Sequence, residues 1–145
     1  MDFRKEAADK LRCYLAKQTS LVSIEEELRR LEEDFGRLGS SCKDSPSVSG
    51  GENHAEDALI NNIALREELS AAKKDVVEWL RIVDRAFECL DEEEKRVLDL
   101  MYIHRAKGNV DQLCAELYIE RPTVYRRKDA ALRKFTIALY GILER

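Results

Sequence analysis

Long apolar runs are missing from this sequence. No stretch approaches the roughly 18 consecutive apolar residues that a membrane-crossing helix requires, so no membrane partner is expected. Met1–Lys10 is charged and lacks the apolar core of a secretory leader, which places the expected compartment in the cytoplasm. Proline and glycine are scarce, two and six in 145 residues, as suits a helix-rich chain. Paired cysteines are absent as well. Cys13, Cys42, Cys89 and Cys114 are scattered with no CxxC spacing, and neither His54 nor His104 stands at zinc-ligand spacing from two of them. They read as ordinary reduced thiols, with no metal and no cofactor expected. A glycine-rich nucleophile turn, a phosphate loop and a framed pair of carboxylates are also missing, so the chain is not expected to be an enzyme.

Charge and helical periodicity are what the sequence has. It is 44% hydrophobic and 37% charged, with a net charge of -4. Taken alone, that balance argues against a nucleic-acid partner, but the charge is unevenly placed. Residues 1–90 carry 14 basic and 19 acidic side chains, whereas residues 91–145 carry 11 and 10. Within 121–134, Arg121, Arg126, Arg127, Lys128, Arg133 and Lys134 stand against Asp129 alone. An acidic body with one basic segment fits a focused anion-binding surface, and a protein that coats polyanions generally would be basic throughout.

Residues 1–38 place Phe3, Ala7, Leu11, Tyr14, Leu21, Leu28, Leu31, Phe35 and Leu38 at steps of three, four and seven, one stripe of a long helix. Gln18-Thr19-Ser20 are weak helix formers, and Ser23 with Glu26 has capping-box spacing, so the segment is one kinked helix or two, with one favoured. Residues 39–54 hold the serine- and glycine-rich run from Gly39 to Asn53, which has few apolar side chains and reads as a flexible linker. Residues 55–90 resume the stripe with Leu59, Ile63, Leu69, Val76, Leu80, Val83, Phe87 and Leu90. Two such helices joined by a loose loop pack antiparallel, and further burial between copies favours a homodimer through these N-terminal helices. Trp79 reads as a packing residue.

In residues 91–145 the pattern shortens to three helices. Asp91 with Glu94 forms a capping box before Val97, Leu100, Met101 and His104. Asn109, with Gln112 three residues on, is expected to cap a helix from Val110 to about Leu117. Tyr118–Arg121 form a turn, Pro122 opens the last helix, and Gly141 stops it after Tyr140. A short helix, a three- or four-residue turn and a second helix make a helix-turn-helix. Leu113, Leu117, Ile119 and Val124 supply its apolar crossing, and Cys114 or Ala115 supplies the small residue at the close approach. Arg121, Thr123, Tyr125 and Arg126 then occupy the exposed N-terminal face of the second helix. Lys128, Arg133 and Lys134 are placed to reach flanking phosphates.

The leading LDEEEKRVL and the trailing TVYRRKDAALRKF resemble region 4 of sigma-70-type sigma factors. With the LEEEL-like run Ile24–Glu33, the whole layout is similar to phage late-gene regulators of the ArpU/RinA type. The resemblance implies an all-α fold, with a long antiparallel, coiled-coil-like helical hairpin followed by a sigma-region-4-like helix-turn-helix bundle. It implies a sequence-specific transcription regulator of double-stranded DNA, an activator of a phage or prophage operon that acts with RNA polymerase in the bacterial host cytoplasm. Two departures stand out: Tyr118 occupies a turn position where glycine is frequent, and Arg127 occupies a position that is usually apolar. The competing reading is a helical, oligomerising interaction protein, or a phage small terminase subunit, whose C-terminal bundle docks protein or packaging-site DNA.

Overall fold

The computed structural model describes residues 2–44 and 54–145, without the side chains of residues 40–44. The fold is all-α: the described residues form five α-helices and contain no strand beyond one isolated bridge between Asp2 and Glu144. Helix α1 spans Phe3–Asp44, α2 His54–Glu88, α3 Glu92–Leu98, α4 Asn109–Leu117 and α5 Arg121–Tyr140; a π-helical turn, Asp99–Ile103, follows α3. The weak formers Gln18–Ser20 lie inside α1 without dividing it. Residues 39–44, which the sequence assigns to the linker, continue α1, because glycine and serine weaken a helix without forbidding it. The rest of the linker, residues 45–53, lies outside the described residues.

By contacts, the chain forms two units, Met1–Gln18 with Trp79–Arg145, and Thr19–Glu78. The boundary expected at 90/91 is therefore not a contact boundary: the start of α1 and the end of α2 belong with the C-terminal helices. The reason is apolar demand. Phe135, Ala131 and Leu98 are fully buried, and the side chains that cover them include Ala7, Leu11, Val83 and Ala86. Phe87 meets Phe135 edge-on at 6.3 Å, and the Tyr14 hydroxyl donates to Asp84. Trp79 packs at the margin of this core, with Lys17 Nζ 5.4 Å from its ring centre. Phe3 N–H donates to Leu143 O at 3.0 Å, Arg4 pairs with Glu144 at 3.0 Å, and the rings of Phe3 and Tyr140 stack at 4.9 Å.

In the second unit, α1 and α2 meet at several points. Glu25 faces Lys73 at 3.7 Å, Leu31 O accepts from Asn62 Nδ2 at 2.9 Å, and Arg66 lies 4.5 Å from the Phe35 ring centre. Asn62, and not the expected Ile63, takes the inner position: Asn62 is buried and Ile63 is 41% exposed. Asn62 tolerates burial because its amide is satisfied, donating to Leu31 O and accepting from Arg66 Nε at 2.9 Å.

Candidate functional site

A second core lies beneath the C-terminal helices. Val97, Leu100, Val110, Leu113 and Val124 are buried there, with Cys114, Leu117 and Ile119 half-buried against them. Val97 faces this core while its neighbour Leu98 faces the Phe135 core, so α3 serves both. Cys114 fills the small position expected between α4 and α5, and Ala115 is exposed. Free thiols are found at Cys13, Cys89 and Cys114.

The helix ends set the geometry. Asp91 Oδ1 accepts the Glu94 N–H at 2.7 Å and Glu94 Oε1 accepts the Asp91 N–H at 3.0 Å, closing the capping box read from the sequence. The first bond holds the Asp91 carboxyl below its usual range. The π-helical turn begins at Asp99, whose carbonyl accepts the His104 N–H at 2.7 Å while its carboxylate meets His104 Nδ1 at 2.6 Å. The expected cap of α4 is corrected. Gly108, at φ 80, precedes the helix and Asn109 is its first residue. Asn109 reaches back instead, its Nδ2 donating to Leu100 O at 3.0 Å, and Gln112 bonds Glu116 at 3.0 Å. The three-residue turn Tyr118–Glu120 joins α4 to α5. Tyr118 stands at φ 56, ψ 46 with its ring 94% exposed. The left-handed conformation at the position where glycine is frequent is thus adopted by a tyrosine whose ring is turned to solvent.

The fold distributes the basic residues of α5 unevenly. Arg121 donates to Asp111 of α4 at 2.8 Å. Arg127 pairs with Glu93 of α3, and Lys134 donates to Glu94 at 3.0 Å, a bond that raises the lysine pKa. Lys128 is half-buried, 3.8 Å from Asp129 and with its Nζ 5.5 Å from the Tyr125 ring centre. Arg126 and Arg133 are exposed and form no ion pair with any described residue. Seven residues apart, they stand on one face, about 10 Å apart along the axis and opposite the buried Val124, Ala131 and Phe135. Thr123 is half-buried and Tyr125 exposed. The basic run counted along the sequence is thus largely neutralised by carboxylates of α3 and α4, and two guanidiniums remain outward.

Two cations escape the sequence reading. Arg105 and Lys107, in the turn before α4, are exposed and form no ion pair with any described residue. Their signal in the sequence was proximity to a helix start. Opposite in character is the Arg96–Glu116 pair, two parallel bonds of 2.8 Å between α3 and α4. With Gln112, it draws the Glu116 carboxyl down to about 2. A cavity of about 170 Å³ lies between Leu11, Val83, Phe87 and Ile103, with Tyr14, Asp84, Asp99 and His104 at its edge. Those four polar groups bond one another in pairs, Tyr14 with Asp84 and Asp99 with His104. No group of metal-ligating side chains occurs among the described residues, and no helix in them is long and apolar enough to cross a membrane.

No curated protein and no solved structure matches this chain. One family model, described as "Protein of unknown function (DUF1492)", matches residues 37–136, well over half of the chain and including α2, α3, α4 and most of α5. The chain therefore belongs to the DUF1492 family.

Proposed function

We propose that this protein is a sequence-specific double-stranded DNA-binding transcription regulator. In this reading α4, the Tyr118–Glu120 turn and α5 form a helix-turn-helix with α5 as the recognition helix. The observation that carries it is the outward pair Arg126 and Arg133, two guanidiniums left without carboxylates on a helix whose other cations are held by α3, α4 or Asp129. Arg126 lies toward the entering end of α5 and reads base edges, together with Thr123 and Tyr125. Arg133 lies two turns further and meets phosphate, with Lys128 and Lys134 flanking it. Arg121 joins the base readers by exchanging Asp111 for a base edge. The resemblance to sigma region 4 and to phage late-gene regulators supports an activator of a phage or prophage operon that acts with RNA polymerase in the host cytoplasm, as a homodimer through its N-terminal helices.

The test is selection of bound duplexes from a random library by the full chain, followed by salt titration of the winner. Arg126, Arg133, Arg105 and Lys107 give four available cations, and each phosphate contact contributes roughly −0.9, for a slope of log K on log salt of about −3 to −4. Arg126→Ala loses about ten- to a hundredfold in affinity for the selected duplex and little for a scrambled one. Arg133→Ala weakens both equally and flattens the slope by about one. Folded protein that binds neither duplex at low salt sinks the reading.

The neutralisation of four α5 cations within the fold favours a second reading, a helical oligomerising interaction protein or small terminase subunit. As an interaction protein it shows salt-insensitive or absent duplex binding together with stable self-association, whereas a terminase subunit binds packaging-site DNA.

A further inference from the structure

The unit formed by residues 19–78 has a thin core. Its buried apolar residues among those described are Leu31 and Val76, and the polar Asn62 is buried with them. The outer face of α2 in that unit is ordered in its own right. Ile60, Ile63, Glu67, Ser70, Lys74 and Val77 follow one another at alternating steps of three and four, and all six are exposed. That spacing is a single stripe of a helix, the seam along which two helices pack. Ile60, Ile63 and Val77 are 57%, 41% and 44% exposed, which is unusual for β-branched side chains clustered on one stripe. Between Ile63 and Lys74 the surface forms a groove of about 400 Å³ that Ser70 and Ala71 help to line. Glu67 and Lys74 form no ion pair with any described residue.

We infer that this stripe is the homodimer interface, and that two copies of α2 cross there antiparallel about a two-fold axis near Ser70. The inference rests on the self-association part of the reading above and is independent of DNA binding. A two-fold interface must be self-complementary, since the same patch meets itself. The stripe has that property in one direction only. With the axis near Ser70, Glu67 of each copy comes level with Lys74 of the other, giving two opposite-charge contacts. Ile63 comes level with Val77 on either side of the centre, and the small Ser70 and Ala71 at the middle let the helices approach. A parallel pairing would set Glu67 against Glu67 and Lys74 against Lys74. The ordering of small, charged and apolar residues outward from one point therefore selects a second copy of this chain as occupant, and selects its direction.

Charge exchange in the full-length protein, read by sedimentation equilibrium without DNA, tests the pairing. Glu67→Lys and Lys74→Glu each raise the dimer dissociation constant by about tenfold, because symmetry duplicates every lost pair and every new repulsion. The double variant carrying both reversals restores the dimer to within about threefold of the original. Ser70→Arg, a bulky cation at the crossing, abolishes the dimer while helix content by circular dichroism is retained, since the position is exposed. A monomer at hundred-micromolar concentration overturns both this interface and the dimer in the functional reading. A dimer indifferent to the single reversals and to Ser70→Arg overturns this interface alone, and duplex titrations on the same samples report on DNA binding separately.

Discussion

Lys134 and Glu94, forty positions apart, are joined by a hydrogen bond of 3.0 Å from Nζ to Oε1, and that same oxygen accepts the backbone N–H of Asp91 that opens α3. One carboxylate thus caps one helix and holds a cation of another. Glu94→Gln separates the two roles, because a glutamine oxygen still accepts from Asp91 while its charge is gone. The variant keeps its melting temperature to within about 2 °C and binds scrambled duplex about two- to threefold more tightly at low salt, with a steeper salt slope. Unchanged binding in that titration shows that Lys134 does not face the duplex.

Tyr118 holds a left-handed backbone conformation that its Cβ opposes, and its ring, 94% exposed, recovers almost nothing by packing. Tyr118→Gly removes that opposition and stabilises the protein by about 1 kcal/mol in urea unfolding. Tyr118→Val, whose branched side chain tolerates the conformation least, is destabilised by a similar amount. A Tyr118→Gly protein no more stable than the original means that the ring has a partner in the folded assembly.

Leu11 is fully buried in the core that holds Leu98, Ala131 and Phe135. Leu11→Ala costs about 2–5 kcal/mol, as for other buried leucines truncated in a packed core. The loss registers at the far end of the chain, as faster amide exchange in α5. A fragment of residues 91–145, stripped of Ala7, Leu11, Val83 and Ala86, shows low helicity and a broad thermal transition. Native-like melting of that fragment refutes the shared core.

Glu116 is held at about 2 by Arg96 and Gln112, below the 4.5 of an unpaired glutamate. A lowered carboxyl pKa contributes stability that is present above the unfolded value and fades as pH falls through the folded one. The stability difference between the wild type and Glu116→Gln is therefore constant near neutrality and shrinks from pH 4.5 toward pH 2. A difference that stays constant down to pH 2 removes the pair from the acid response.

Helix positions were legible where local chemistry decides them. The Asp91–Glu94 box, the Gly141 stop and the crossing of Leu113 with Val124 depend on residues within a few turns of one another. Asn62 was illegible because its inward position is licensed by a carbonyl thirty-one residues away, which no periodicity records. The α4 cap was misread because Gly108 and Asn109 are both good candidates, and the backbone placed the glycine at φ 80. Among the candidate residues, charge counted along the chain overstated the basic surface. Glu93, Glu94 and Asp111 are distant in sequence from the arginines and lysine they neutralise, so only the fold reveals Arg126 and Arg133 as the unpaired pair.

The sharing of one core between residues 1–18 and 79–145 orders events at the ribosome. Ala7, Ala8 and Leu11 are synthesised first, yet the side chains that cover them, Phe135 among them, arrive more than a hundred residues later. At about 5–20 residues per second, that apolar face waits several seconds or longer without its partners. The first turns of α1 therefore reach their final environment only after the last helix has emerged, and a nascent chain stalled before α5 presents them to whatever chaperone is nearest.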